Sequence, residues 1–139
     1  LKIPNECEEL TNNPEIQCEE NGVEIIFKND KQKPIRKIEI DDCVIKEGVR
    51  CDWLILDETD TEYFVELKSK HGIKHGIDQL RNSIKILCSN LRDPNRMSFL
   101  IHRRRPGYGT KIQTERLRFE REFNSSLIVK KTPYEYNLE

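Results

Sequence analysis

Residues 51–68 read CDWLILDETDTEYFVELK. Two apolar runs, Trp53-Leu54-Ile55-Leu56 and Tyr63-Phe64-Val65, flank the polar stretch Asp57-Glu58-Thr59-Asp60-Thr61-Glu62. Runs of this length, rich in aromatic and branched side chains and separated by turn formers, are read as a β-hairpin. Centred on Thr59, the hairpin places Leu54 opposite Phe64, Leu56 opposite Glu62 and Asp52 opposite Glu66. Side chains directly opposite share a face, about 5 Å apart at Cβ. Glu66 and Lys68, two apart on one strand, share that face as well. A slip of one residue would send Asp52 and Glu66 to opposite faces.

Working outward, Ile35–Ile40 alternates as a half-buried strand, and Val23–Phe27 is a short strand before the turn 29–34. Pro4 is placed to start a helix in the polar, acidic stretch 4–20, and Pro14 to interrupt it. After the hairpin, Ile77, Leu80, Ile84, Leu87 and Cys88 line one face of a helix over 73–90. Asp93-Pro94-Asn95 ends it, and Met97–His102 is a further strand. A basic Gly/Pro loop, 103–109, leads to a helix capped by Thr110 and running to about Phe123. Leu127-Ile128-Val129 is the last expected strand. The whole is an α/β fold, one domain over residues 1–139, with a central mixed sheet flanked by helices.

The chain has 139 residues, 35% of them charged, and a net charge of −1. No apolar run approaches the length of a membrane-spanning helix, and the net charge does not suit tight nonspecific nucleic-acid binding. The acids concentrate before residue 67, whereas most arginines and all three histidines follow it, an asymmetry suited to a surface facing polyanions. The five cysteines, Cys7, Cys18, Cys43, Cys51 and Cys88, include no C-x-x-C, which argues against a zinc site. Reduced thiols in a cytoplasmic protein are their simplest reading, and a disulfide between two of them is the alternative. The first residue is Leu, as expected of a chain trimmed or cut from a longer one.

Charges at the ends of apolar strands are costly to desolvate. Two carboxylates that close repel one another, and a hard cation relieves the repulsion. The expected cofactor is therefore Mg²⁺ or Mn²⁺, bound by Asp52, Glu66 and the Leu67 carbonyl. A water on the metal could attack a phosphodiester, with Lys68 orienting it or stabilising the developing charge. Glu66-Leu67-Lys68 is the only acid-x-Lys in the chain, although it holds 25 acidic residues.

The set Asp52, Glu66-x-Lys68 and a following helix bearing Asp78-Gln79-Leu80 resembles the PD-(D/E)xK nuclease superfamily over residues 35–102. The resemblance implies the restriction-endonuclease-like αβββαβ core, metal binding by Asp52 and Glu66, and activation of water by Lys68. It also implies a catalytic part for Gln79 and an acid from the first helix, for which Glu9, Glu19, Glu20 and Glu24 are open alternatives. Cys51 stands where the motif has its proline, and Ser83 where some branches have tyrosine. The function expected is a metal-dependent nuclease acting on DNA. The alternatives are an RNA- or tRNA-cleaving toxin-type domain and an inactive binding subunit of the same fold.

Lys70, His71, Arg103, Arg104, Arg105 and Lys111 are the expected nucleic-acid contacts, with Tyr108 available to stack on a base. His71 and His75 are four apart and could also ligate a transition metal. Arg116, Arg118 and Arg121, alternating with Glu115, Glu120 and Glu122, suit an exposed salt-bridged helix face, and Trp53 suits core packing. A homodimer mate or partner domain would supply the positive charge the chain lacks.

Overall fold

The computed structural model describes residues 3–68, 72–103 and 110–138. A 3₁₀ turn at Asn5–Cys7 leads into nine strands and two helices: β1 (Glu8–Thr11), β2 (Glu15–Glu20), β3 (Val23–Lys28), β4 (Ile35–Glu39), β5 (Trp53–Leu56), β6 (Glu62–Lys68), α1 (Ile73–Leu87), β7 (Met97–His102), α2 (Thr110–Phe123), β8 (Ser126–Lys131) and β9 (Tyr134–Asn137). A six-stranded mixed sheet has the order β1-β4-β5-β6-β7-β8, and β2-β3-β9 form a second, smaller sheet. β1, β4, β5 and β6 pair antiparallel; β6, β7 and β8 run parallel, joined through α1 and α2.

The hairpin register is the expected one: Trp53 pairs with Val65, Leu54 with Phe64 and Leu56 with Glu62. Period two then divides the sheet's side chains between two cores. On one face Ile38, Leu54, Phe64, Leu100 and Leu127 meet Ile77, Leu80 and Ile84 of α1 and Phe119 and Phe123 of α2. On the other, Ile55, Tyr63, Val65, Leu67, Phe99 and Ile101 meet Ile16, Cys18, Val23, Ile25 and Phe27 of the small sheet. Each fully buried aliphatic or aromatic side chain stabilises the fold by roughly 1.5–3 kcal/mol.

The central sheet is therefore not flanked by helices on both faces. Both helices share one face, and a second sheet covers the other. The expected helix in 4–20 is a 3₁₀ turn followed by β1 and β2, because Ile16 and Cys18 alternate with exposed Glu15, Gln17 and Glu19 and need a sheet to bury them. Cys7 and Cys43 form a disulfide, with Cα atoms 5.7 Å apart, tying the N-terminal turn to the β4–β5 connection. The alternative of one disulfide therefore holds over five reduced thiols, and the thiols no longer argue for a cytoplasmic setting. Cys18, Cys51 and Cys88 are free. Among the described residues no helix is long and apolar enough to cross a membrane.

Candidate functional site

Glu66 and Lys68 end β6 on the helix-facing side of the sheet, and Asp52 sits just before β5. At Asp52 the backbone bends: its N–H donates to the Val65 carbonyl (3.1 Å), while its carbonyl accepts from Ile40 N–H (2.9 Å). In a regular antiparallel strand both groups of one residue face the same neighbour. The bend lets the carboxylate reach across, and Asp52 Oδ2 accepts the Leu67 N–H at 2.8 Å. Lys68 Nζ lies 3.6 Å from Glu66 Oε2, with both side chains nearly sealed, at 10% and 3% exposed. Glu66 Oε1 is buried without a hydrogen-bond partner among the described residues.

This environment separates the two acids. Burial raises Asp52 to about 6; the Leu67 N–H opposes the rise, and the charges of Glu20 and Asp41 add to it. Burial and then the charge of Asp52 raise Glu66 to about 9, against the pull of Lys68. Both shifts run upward, so at neutral pH the pair together retains a proton that two free carboxyls would have released. Of the N-terminal acids considered, Glu20, at the end of β2, is the one whose charge reaches Asp52. Glu20 is itself raised by burial and by Asp41, Glu19 and Glu39.

The expected Mg²⁺ or Mn²⁺ site does not form. Among the described residues no group of three or more His, Cys, Asp or Glu side chains converges where it could hold a metal ion. Among the described residues the carboxyls of Asp52 and Glu66 come together as a pair, burial favours the neutral form of Glu66, and an oxygen of Asp52 is committed to the Leu67 N–H. Asp52, Glu66 and Leu67 are adjacent, as the hairpin arithmetic requires, without constituting a metal centre.

Helix α1 fixes both halves of the cluster. Gln79 Nε2 donates to the Arg50 carbonyl (2.9 Å), Asn82 Nδ2 to the Val49 carbonyl, and Ser83 Oγ accepts the Cys51 N–H (2.8 Å). Gln79 thus holds the segment leading into Asp52, while its own Oε1 is buried without a hydrogen-bond partner among the described residues. Nearer its start, α1 passes so close to the sheet that a Cβ on Gly76 would lie 2.6 Å from Leu100 Cδ1 and 3.3 Å from Lys68 Cε. Gly76→Ala is therefore expected to push on the Lys68 stem. The gain in helix propensity, about 1 kcal/mol, is set against an overpacking cost of roughly 1–3 kcal/mol. Thermal denaturation is expected to show a small net loss of stability, and any activity that depends on Lys68 is expected to fall more than stability does.

Of the expected nucleic-acid contacts, Lys70, His71, Arg104 and Arg105 lie outside the described residues, as does Tyr108. Arg103 is exposed, its N–H donates to the Lys68 carbonyl (3.2 Å), and its guanidinium lies over Gly22 in the β2–β3 turn. Lys111 is exposed and, with Lys74, lines a small groove between α1 and α2. Arg116–Glu120 and Arg118–Glu115 pair along α2, as alternating charges on an exposed helix should. Trp53 packs against the second core with Lys37 Nζ 4.6 Å from its ring centre. Sequence reasoning missed Ser83 and Gly76 as parts of the frame. The signal was present: both lie on the apolar stripe of α1, where only a small residue fits close approach. No family model, curated protein or solved structure matches this chain.

Proposed function

We propose that the chain hydrolyses phosphodiester bonds in nucleic acid, DNA before RNA, at Asp52, Glu66 and Lys68. The observation that carries this reading is the gathering of two carboxyls and an ammonium on one sheet face beneath α1, with Lys68 Nζ 3.6 Å from Glu66 Oε2. The likeness of Asp52 and Glu66-x-Lys68 to the PD-(D/E)xK nucleases supports the substrate class, a phosphodiester, but not the metal that the likeness implies. Two titratable groups whose surroundings drive their pKa values apart form an acid–base pair. Asp52, ionised, takes a proton from water as the water oxygen bonds to phosphorus. Glu66, protonated, gives its proton to the oxygen that leaves. Lys68 stabilises the negative charge that builds on the phosphoryl oxygens.

Cleavage of labelled single-stranded DNA, duplex DNA and total RNA tests the reading and ranks the substrates. Asp52→Asn and Lys68→Met are each expected to lower the rate by about 10²–10⁴-fold while circular dichroism stays unchanged. The rate should follow a bell with limbs near 6 and 9, and those limbs belong to the coupled pair rather than to either acid. Cleavage by both variants at the wild-type rate would sink the assignment. The near-complete burial of the Glu66 side chain favours a second reading, a nuclease-like fold that binds without cutting. It would be supported by nucleic-acid binding that both variants retain, with no cleavage by the wild type.

A further inference from the structure

The six-stranded sheet is open, and its two edges differ in kind. β1 forms one edge and β8 the other. Exposed sheet edges invite pairing with another chain, and proteins usually blunt them with lysines, prolines or bulges. β1, Glu8-Glu9-Leu10-Thr11, carries no lysine or proline, and it exposes Leu10 to 75%. Its Glu8 is held by Arg36, which leaves Glu9 as the outward acid. β8 is the complement, with Lys130 and Lys131 exposed at its end. Between β8 and α2 runs a groove of about 410 Å³, floored by Ile112, Leu127 and Val129 and rimmed by Arg116, Lys130 and Lys131. Glu120 takes the Leu127 N–H at the start of β8 (2.8 Å), and among the described residues no strand pairs with the edge beyond it.

Independently of the proposed activity, we infer that β1 of one copy of this chain docks antiparallel along β8 of the next, seating Leu10 over Val129 at the groove and Glu9 against Lys130. Strand direction and face both agree. Within one copy β1 runs opposite to β8, so two copies in the same orientation meet antiparallel. Leu10 pairs through Arg36 to Leu56, which packs on the helix-side core, and Val129 packs on that same core. A continuous sheet therefore puts both side chains on the same face, in the one register that also opposes Glu9 and Lys130. Because the two edges are not alike, the contact is head-to-tail, giving a ring or an open row rather than a twofold dimer. The charged rim makes it sensitive to salt.

Sedimentation velocity over a wide range of concentration tests this. The wild type is expected to form species larger than monomer that dissociate in high salt. Glu9→Lys alone, and Lys130→Glu with Lys131→Glu, should each lose every species above monomer. Mixed, those two variants should associate again, since a basic β1 edge then faces an acidic β8 edge. Leu10→Ser should weaken association without altering charge, and circular dichroism should show all variants folded. A wild type that stays monomeric throughout overturns the inference, as does a mixture that fails to reassociate. So does a monomeric wild type whose β8 variant has instead lost affinity for duplex DNA, which would assign that edge to the nucleic acid.

Discussion

Glu66→Gln is expected to yield a protein that is more stable than the wild type and inactive. Glu66 is raised from its ordinary value to about 9 by burial and by Asp52. A carboxyl raised on folding is a liability at any pH above its unfolded value, because the native state must hold a proton the unfolded chain has released. Between roughly pH 4.5 and 9 the folded state binds more protons than the unfolded state, so stability falls as pH rises. Asp52, raised to about 6, adds the same sign between its ordinary value and 6. Glutamine keeps the shape of the protonated acid without the proton to hold. At pH 8 it should add on the order of 3 kcal/mol, taking about 1.4 kcal/mol per pKa unit and discounting for coupling between the two acids. Urea denaturation at pH 5 and pH 8 checks this: the wild type should weaken between them and the variant much less. On the proposed mechanism cleavage should fall about 10²–10⁴-fold, since glutamine cannot donate the proton. A glutamine variant no more stable than the wild type at pH 8 would show that Glu66 is comfortable where it lies.

Arg96→Ala should cost about 3–5 kcal/mol, the usual consequence of removing one partner from a buried ion pair. Arg96 is 1% exposed, and its guanidinium serves three acceptors: Glu62 Oε1 at 2.8 Å, the Leu91 carbonyl at 2.8 Å and the Asn90 carbonyl at 2.6 Å. It sews the loop after α1 to the start of β6, on which the hairpin register depends. Alanine would leave the Asn90 and Leu91 carbonyls without this donor and, among the described residues, the Glu62 carboxylate with only the Cys88 thiol. For a domain of this size the melting temperature should drop by roughly 10–20 °C. Differential scanning calorimetry would read it, and a drop of only a degree or two would mean that water replaces the guanidinium at little cost.

What the sequence disclosed followed the strength of its periodic signals. Met97–His102 and the pairing of Leu54 with Phe64 were legible because apolar runs admit one register, and the helix ending at Phe123 because Thr110 is a capping residue type and the charges after it alternate. β2 and β9 were not. Ile16 and Cys18 give only two inward positions amid acids, and Tyr134 and Tyr136 only two near the end of the chain. Their strand character comes from β3, which lies between them. Arg96 was overlooked because arginine is seldom buried and nothing local marks it. The meeting of Asp52 with Glu66 was legible from hairpin arithmetic. The metal expected between them was not borne out, because proximity in register says nothing about protonation. That depends on how deeply α1 and the sheet seal the carboxyls, which only packing decides.

Helix α1 touches Lys68 through the gap at Gly76 and the approach to Asp52 through Gln79 and Ser83. Asp52 precedes β5 and Lys68 ends β6, yet a single rigid rod gauges the distance between them. Loops at the sheet's rim can then vary in length or composition without shifting the pair, whereas a slight roll of that rod would move both side chains together.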